Sequence, residues 1–265
     1  MNFCDKLKLL FLTQFAGCLS NWTNRLFFIL LFFIILSCKS IRSPDLSIAC
    51  AANMQFVMQD WVDRYEEKTG LNVHLTISSS GKLFAQIREG APWDLFFSAD
   101  QKYPRELQLL DIGQEAPKTY ATGHLVLLSR QEAIGPDICS WLSEQNLKLA
   151  LANPQTAPYG AAAQEFLKKC ISAKSWEYQL VYGESVSQVN RFFLTGAVDL
   201  ALTAQSILYS NKLPTACHSK HISDQYYTLI RQDYLRLSDK SAVSDFLDFI
   251  HSSSGQQILY QYGYQ

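Results

Sequence analysis

The sequence carries almost no net charge, because 23 lysine and arginine residues nearly balance 24 aspartate and glutamate residues and leave −1. No basic field is available to attract nucleic acid, so a nucleic-acid partner is not expected. A protein of this charge cannot hold an anion by bulk attraction. If it binds one, it needs hydrogen-bond donors placed locally.

The sequence also lacks the signatures of common enzyme classes. Residues 78–82 (SSSGK) are similar to the end of a P-loop, but that motif needs glycine at Thr76 and serine or threonine at Leu83. No G-x-S-x-G motif marks a hydrolase nucleophile. His218 and His221 are three residues apart without the further ligands of a metal site. We therefore expect no catalytic residue, no metal ligand and no cofactor.

Long hydrophobic runs are confined to the N-terminus. Residues 26–36 are apolar, and this run is too short to span a bilayer comfortably. Residues 35–38 (ILSC) are similar to a bacterial lipobox, whose cysteine receives lipid. We therefore predict a lipoprotein signal peptide over residues 1–37, acylation of Cys38 and a tether over residues 38–45. The protein is then expected in the periplasm or at the cell surface, anchored to the membrane by its lipid.

Two points at the N-terminus stay open. An ordinary membrane anchor that happens to contain a cysteine is the alternative to a lipoprotein, and residues 15–18 (FAGC) are a second, weaker lipobox candidate. The position of the start codon is also open. Four cysteines follow the predicted tether, and they allow three pairings: Cys50, Cys139, Cys170 and Cys217. Cys50 lies in a strand-like run, which favours a structural thiol.

From residue 46 onward, short apolar runs alternate with longer amphipathic ones. Strands are predicted over residues 46–50, 73–77, 94–98, 123–129, 147–151, 198–203 and 226–230. Helices are predicted over residues 54–68, 83–89, 161–169, 186–194 and 241–251, with a last helical turn or two at 256–260. This alternation is typical of a parallel α/β sheet.

At four places a strand ends in small or polar residues and a helix follows at once. These junctions are residues 50–53 (CAAN), 78–81 (SSSG), 153–160 (NPQTAPYG) and 183–186 (GESV). Asparagine and serine at such places commonly cap the helix, which is the simpler interpretation of any one junction. Helix starts also present free backbone N–H groups, and in parallel α/β sheets they lie along one edge. Four together favour a shared anion pocket.

Three stretches around these junctions resemble the molybdate-binding component of ABC importers, the ModA family. They are residues 79–100 (SSGKLFAQIREGAPWDLFFSAD), residues 152–160 (ANPQTAPYG) and residues 183–188 (GESVSQ) followed by Thr195-Gly196. The resemblance implies a type II periplasmic-binding-protein fold, with mixed parallel sheets flanked by helices in two α/β lobes. It also implies a monomer that is not an enzyme, takes up molybdate or tungstate between the lobes and delivers it to an ABC permease.

The resemblance also assigns ligand-binding positions. Asn53 falls where the family places a serine or asparagine side chain on the anion, and Ala52 lies beside it. Ser80, next to Ser79, falls where a serine offers both its hydroxyl and its backbone N–H. Tyr159 and Val186 fall where backbone N–H groups bind oxygen. The predicted site therefore consists of Ala52, Asn53, Ser79, Ser80, Tyr159 and Val186.

One departure from the family pattern concerns the strand over residues 198–203. Some members place a tyrosine hydroxyl on the anion after this strand, whereas Ala204 stands there in this sequence. The substitution removes one donor and leaves the order of molybdate and tungstate affinities open. The resemblance places the first lobe at residues 46–121 and 222–265, and the second at 122–221.

Other functions remain compatible with the sequence. A related binding protein for another ligand, such as sulfate or an iron complex, would have the same general pattern. A ligand-sensing lipoprotein without a transporter and a secreted α/β hydrolase are further alternatives. An assay with generic esters would test the hydrolase.

Overall fold

The computed structural model describes residues 43–130, 133–171 and 179–265. The predicted signal peptide of residues 1–37 and the predicted lipid-bearing Cys38 lie outside these residues. Within the described ranges, no helix is long and apolar enough to cross a membrane.

The described residues form ten strands. In chain order these are β1 (Leu46–Ala51), β2 (Val73–Ser78), β3 (Leu95–Phe97), β4 (Lys118–Gly123), β5 (Leu125–Ser129), β6 (Leu149–Ala152), β7 (Leu180–Gly183), β8 (Leu200–Ala204), β9 (His218–His221) and β10 (Ile230–Arg236). The sequence analysis missed β4, β7 and β9, whose residues are partly exposed or polar and give no alternating apolar pattern.

Helices alternate with these strands. They are α1 (Gln55–Thr69), α2 (Ser80–Arg88), α3 (Lys102–Leu109), α4 (Ile138–Ser143), α5 (Pro158–Cys170), α6 (Val186–Leu194), α7 (Ser241–His251) and α8 (Ser253–Gln261). Short 3-10 turns occupy residues Ala52–Met54, Gln205–Tyr209 and Asp224–Tyr226. Helices α6 and α7 begin and end at the predicted residues, whereas α2 and α5 begin three residues earlier than predicted.

The strands form two five-stranded sheets. The first has the order β2-β1-β3-β10-β4, and the second has the order β7-β6-β8-β5-β9. In the first sheet β10 runs antiparallel to β3 and β4, and in the second β5 runs antiparallel to β8 and β9. The prediction of mixed sheets flanked by helices is therefore confirmed. We call the first sheet with its helices lobe one and the second sheet with its helices lobe two.

Lobe one has a hydrophobic core on each face of its sheet, because successive side chains of a strand point to opposite faces. Ile48 and Cys50 of β1 pack on one face, with Trp61 of α1 and Phe246 of α7. Ala49 packs on the other face, where α2 and α3 cover the sheet. Cys50 is a free, fully buried thiol, and burial raises its pKa.

Lobe two has one extended core around β5, β6 and β8. Its buried apolar residues come from these strands and from α5 and α6, including Phe166 and Phe193. The same core includes Ala52 and Ala99, which lie at the ends of strands in lobe one. The two lobes therefore pack against each other at the strand ends, where the four helix starts lie.

The predicted strand over residues 226–230 is wrong. The structure has a 3-10 turn at Asp224–Tyr226 and places the strand at Ile230–Arg236. The true strand contains Gln232 and Asp233, which are both buried and hydrogen-bonded to side chains far away in sequence. Its apolar pattern is therefore interrupted, and the aromatic run before it resembles a strand more closely.

A disulfide joins Cys139 to Cys170, with the two Cα atoms 4.9 Å apart. It links α4 to the last residue of α5 on lobe two. Cys217 is a free, partly buried thiol. The pairing that the sequence left open is thus resolved by the positions of two helices.

Candidate functional site

A small cavity lies where the four helix starts meet. The space between its lining atoms is about 190 Å³, including space that is open to solvent. All six predicted site residues line it, together with four others that the sequence analysis did not name: Ala51, Ala99, Ala157 and Pro158. These four residues lie at or just after strand ends or at the start of α5, so their positions follow from the same strand–helix rule.

Three of the predicted site residues stand in the first turn of a helix. Ser80 is the first residue of α2, Val186 is the first residue of α6, and Tyr159 is the second residue of α5. Backbone N–H groups in the first turn have no partner within their helix, and the positive end of the helix dipole lies there. Three helices therefore direct donors and partial positive charge toward one small volume, which is the arrangement that binds an oxyanion.

Two serine hydroxyls add to these donors. The Ser80 hydroxyl oxygen accepts a hydrogen bond from the backbone N–H of Ala99 at 2.9 Å, which leaves its own proton free to point elsewhere. The Ser79 hydroxyl is buried and has no hydrogen-bond partner among the described residues. Buried hydroxyls normally find a partner, so this unpaired one in the cavity lining is available to bind a ligand.

Asn53 reaches the cavity from the 3-10 turn that follows β1. Its side chain is buried, and its amide nitrogen donates to Gln232 Oε1 at 2.7 Å and to the Tyr264 hydroxyl at 3.1 Å. Its backbone carbonyl accepts from Tyr264 and from Ser206, at 2.8 and 2.9 Å. The sequence analysis missed these supporting residues. No local signal marked them, because Gln232 lies after the strand that was predicted over residues 226–230.

The capping interpretation holds for one of the four junctions. Ser185 caps α6 by accepting from the backbone N–H of Gln188. Asn153 accepts from the backbone N–H of Gln155 in the loop before α5 and does not cap that helix, whose N-cap is Ala157. Ser79 stands at the N-cap of α2 without capping it through its side chain. Asn53 likewise bonds to distant side chains and not to its own helix. Asn53 and Ser79, whose side chains cap no helix, both line the cavity.

The described residues that line the cavity include no acidic side chain. Glu184, next in sequence to the α6 start, is exposed and forms an ion pair of 2.7 Å with Lys82 of α2. Burial raises the pKa of the Tyr159 hydroxyl well above its ordinary value, so this phenol stays neutral at physiological pH. The lining can therefore donate hydrogen bonds to an anion without facing it with a negative charge.

Contacts between the lobes surround the cavity. The backbone N–H of Gly81 donates to the carbonyl of Thr156 at 2.8 Å, and the Tyr103 hydroxyl donates to the carbonyl of Gln155 at 3.2 Å. A Cβ at position 81 would lie 3.0 Å from the Thr156 backbone, so glycine permits this close approach. On the other side, the Ser187 hydroxyl donates to Gln55 Oε1 at 2.5 Å. The cavity is closed by residues of both lobes.

Ala204, which stands where some ModA proteins have a tyrosine, ends β8 and is buried opposite Leu125 of β5. It is not among the described residues that line the cavity. The described lining therefore includes no tyrosine hydroxyl contributed by this strand.

Comparison with known proteins agrees with this geometry. Residues 46–265 match the family model of bacterial extracellular solute-binding proteins. The molybdate-binding protein ModA of Azotobacter vinelandii is 32% identical over 236 residues, which cover 87% of this chain and 93% of that protein. YvgL of Bacillus subtilis, named as a candidate ABC transporter substrate-binding lipoprotein, is 27% identical and covers 94% of this chain and 92% of its own length.

A solved structure gives the same result for the fold. The periplasmic molybdate-binding protein of Azotobacter vinelandii superimposes with a TM-score of 0.74 at 27% identity, covering 83% of this chain and 98% of that one. The predicted periplasmic-binding-protein fold is therefore confirmed. The chain belongs to the bacterial extracellular solute-binding proteins and, within them, to the ModA family of ABC-transporter substrate-binding proteins, which are binding proteins and not enzymes.

Proposed function

We propose that this protein captures molybdate or tungstate in the cavity between its lobes and delivers it to an ABC permease in the membrane. The observation that carries the proposal is the composition of the cavity: backbone and hydroxyl donors converge on it from both lobes, and no carboxylate lines it. The relatives that are named as molybdate-binding proteins support the choice of anion.

Each predicted residue has a distinct part in this proposal. Ser80 contributes its hydroxyl and its backbone N–H, and Ser79 contributes its unpaired hydroxyl. Tyr159 and Val186 contribute the N–H groups of their helix starts. Asn53 contributes its side-chain amide. Ala52 has no side-chain donor, and it shapes the wall beside Asn53.

A panel of anions tests this proposal. Molybdate and tungstate are fully deprotonated at neutral pH and need only donors. Phosphate still carries a proton, and the described lining has no carboxylate to accept it. Leaving that proton unpaired would cost about 1–3 kcal/mol, a factor of roughly ten to a hundred in Kd. Sulfate needs only donors but is smaller, so it would stretch several hydrogen bonds at once. We expect tight binding of molybdate and tungstate, weaker binding of sulfate and the weakest binding of phosphate.

The measurement is competitive calorimetric titration of the four anions at fixed pH and ionic strength. Competition by sulfate or phosphate on equal terms with molybdate would show that the cavity is not matched to a large, fully deprotonated oxyanion. Tight sulfate binding alone would favour a related carrier of another anion.

We also propose that the anion closes the two lobes around it. Donors come from Ser80 in lobe one and from Tyr159 and Val186 in lobe two, so the anion gains all its contacts only when the lobes meet. A ligand that prefers one conformation shifts the equilibrium toward it. Solution scattering should show a smaller radius of gyration with saturating molybdate than with phosphate at the same ionic strength. An unchanged radius, with binding confirmed by calorimetry, would rule out the hinge.

The lipid anchor is a further part of the proposal. The apolar run of residues 26–36 ends at Ser37-Cys38, and one relative is named as a lipoprotein. We expect membrane-extracted protein to begin at Cys38 and to carry lipid, as intact-mass analysis would show. Cys38→Ser should abolish lipidation, whereas the matched change Cys18→Ser should leave it intact. Lipid on the Cys38→Ser protein would refute the assignment.

A further inference from the structure

A buried hydrogen-bond network lies behind Asn53, on the side away from the cavity. Its central member is Gln232, which is fully buried on β10. Gln232 Oε1 accepts from the Asn53 amide nitrogen at 2.7 Å and from the Tyr120 hydroxyl at 3.2 Å. The Asn53 nitrogen also bonds to the Tyr264 hydroxyl at 3.1 Å. Both hydrogens of the Asn53 amide therefore point into lobe one, and its carbonyl oxygen is the free end.

Three polar atoms of this network have no hydrogen-bond partner among the described residues. They are Asn53 Oδ1, Gln232 Nε2 and the Tyr159 hydroxyl. Gln232 Nε2 and the Tyr159 hydroxyl lie close together, since both approach Gly123. A Cβ added at Gly123 would overlap the Tyr159 oxygen and lie 2.8 Å from Gln232 Nε2. An amide acceptor on Asn53 and an amide donor on Gln232 are thus both left unpaired, although the two side chains are directly bonded. Leaving buried polar atoms unpaired is costly, so this arrangement calls for a partner or a rearrangement.

The unpaired end of the Asn53 amide is its carbonyl oxygen, whose partial charge is negative and therefore unfavourable for an anion. A carbonyl oxygen repels an oxyanion, whereas the NH₂ end of the same amide would donate to it. The amide cannot simply turn by itself. Its oxygen would then face Gln232 Oε1 at 2.7 Å, acceptor against acceptor.

We propose that Gln232 positions Asn53 for the anion, through a concerted rotation of both side-chain amides that accompanies binding. This inference rests on the proposed function. A rotation of about 180° about the last side-chain torsion exchanges N and O with little change of shape, because that torsion is broad and roughly two-fold. The rotated Gln232 donates to the rotated Asn53 oxygen, and the rotated Asn53 NH₂ donates to the anion.

The two unpaired amide atoms gain partners in the rotated arrangement. The Gln232 oxygen takes the place of its nitrogen, on the side of the Tyr159 hydroxyl, which burial keeps protonated. The second hydrogen of the Gln232 NH₂ bonds to the Tyr120 oxygen, whose own proton goes to the Ser98 carbonyl at 3.1 Å. The Tyr264 hydroxyl can then donate to the Asn53 side-chain oxygen instead of the Asn53 backbone carbonyl. That carbonyl keeps a partner, because the Ser206 hydroxyl still donates to it at 2.9 Å. Gln232 thereby lies between Asn53 of lobe one and Tyr159 of lobe two, and its orientation depends on whether the cavity holds an anion.

A double-mutant cycle on the full chain tests this role. The proteins are the unaltered chain, Gln232→Met, Asn53→Ala and the double variant, and the measured quantity is the Kd for molybdate. Methionine keeps the length and unbranched shape of the glutamine side chain but has no N–H, so it cannot donate to the rotated Asn53 oxygen. It adds no charge that would itself repel the anion. We expect Gln232→Met to weaken binding at least about tenfold more when Asn53 is present, which is the value of one charge-assisted hydrogen bond.

Equal losses in the two backgrounds would overturn the proposal while leaving the proposed function in place. No molybdate binding by the unaltered protein would overturn both.

Side-chain amide NMR gives a second measurement that needs no folded variant of Asn53. The NH₂ signals of Asn53 and Gln232 should shift at saturating molybdate, and those of Gln59, which bonds to Asp63 on the exposed face of α1, should not. An unmoved Gln232 signal at saturation would also overturn the proposal.

Discussion

Replacing Val186 with proline is expected to weaken molybdate binding by roughly 10- to 150-fold, because a hydrogen bond to a charged group contributes about 1.5–3 kcal/mol. Val186 is the first residue of α6, where proline is tolerated and removes only an N–H that has no partner within the helix. The preceding Ser185 is already extended, with φ −151° and ψ 167°, as a residue before proline must be. The substitution therefore removes the donor and keeps the helix.

The matched control is Val186→Ala, which shortens the buried side chain but keeps the N–H. Its effect on the Kd should be small compared with that of proline. A second control is Ile138→Pro, at the first residue of α4, which is not among the described residues that line the cavity. Calorimetric titration measures all three variants. Equal loss for alanine and proline at position 186 would mean that the side chain, and not the backbone donor, matters there.

Removing the disulfide of lobe two is expected to lower the free energy of unfolding by about 4 kcal/mol, from the entropy of closing a loop of this length. Cys139 and Cys170 are 31 residues apart in sequence, and the bond links α4 to the end of α5. The variant Cys139→Ser/Cys170→Ser avoids leaving a free thiol. Urea denaturation, followed by circular dichroism, gives the difference in unfolding free energy.

Reductant should produce the same loss in the unaltered chain and in Cys217→Ser, because Cys217 is a free thiol. Molybdate affinity under native conditions should change little in the double serine variant. Tyr159 lies in the first turn of α5, at the opposite end of that helix from Cys170. A large loss of affinity without a loss of stability would mean that the bond shapes the cavity directly.

The elements that were predicted well are those whose signals are local. Helices α6 and α7 have apolar residues at helical spacing and clear ends, and both begin and end where expected. Strand β1 is buried throughout and was recognised from its apolar run. The same local pattern located the four junctions, because a strand end followed by a helix start leaves N–H groups free. The individual residues Ser80, Tyr159 and Val186 were assigned by the resemblance to the ModA family.

The elements that were missed depend on partners far away in the chain. Strand β10 contains the buried Gln232 and Asp233, and its polar residues are acceptable only because Asn53 and Thr119 bond to them. Gln232 and Tyr264 are 179 and 211 residues from Asn53, so no window of sequence shows that the three meet. The ion pair of Lys82 with Glu184 was missed for the same reason.

The sequence by itself determined that this protein is a two-sheet binding protein of the ModA family, with donors at helix starts and without a catalytic motif. Helix ends, apolar periodicity and motif spacing are properties of neighbouring residues, and a chain displays them before it folds. Only the tertiary structure decided how those donors close into one cavity, which cysteines pair, and which buried side chains support Asn53. These depend on packing between lobes and on hydrogen bonds across the fold, because a buried polar group is acceptable only where a distant partner is brought to it.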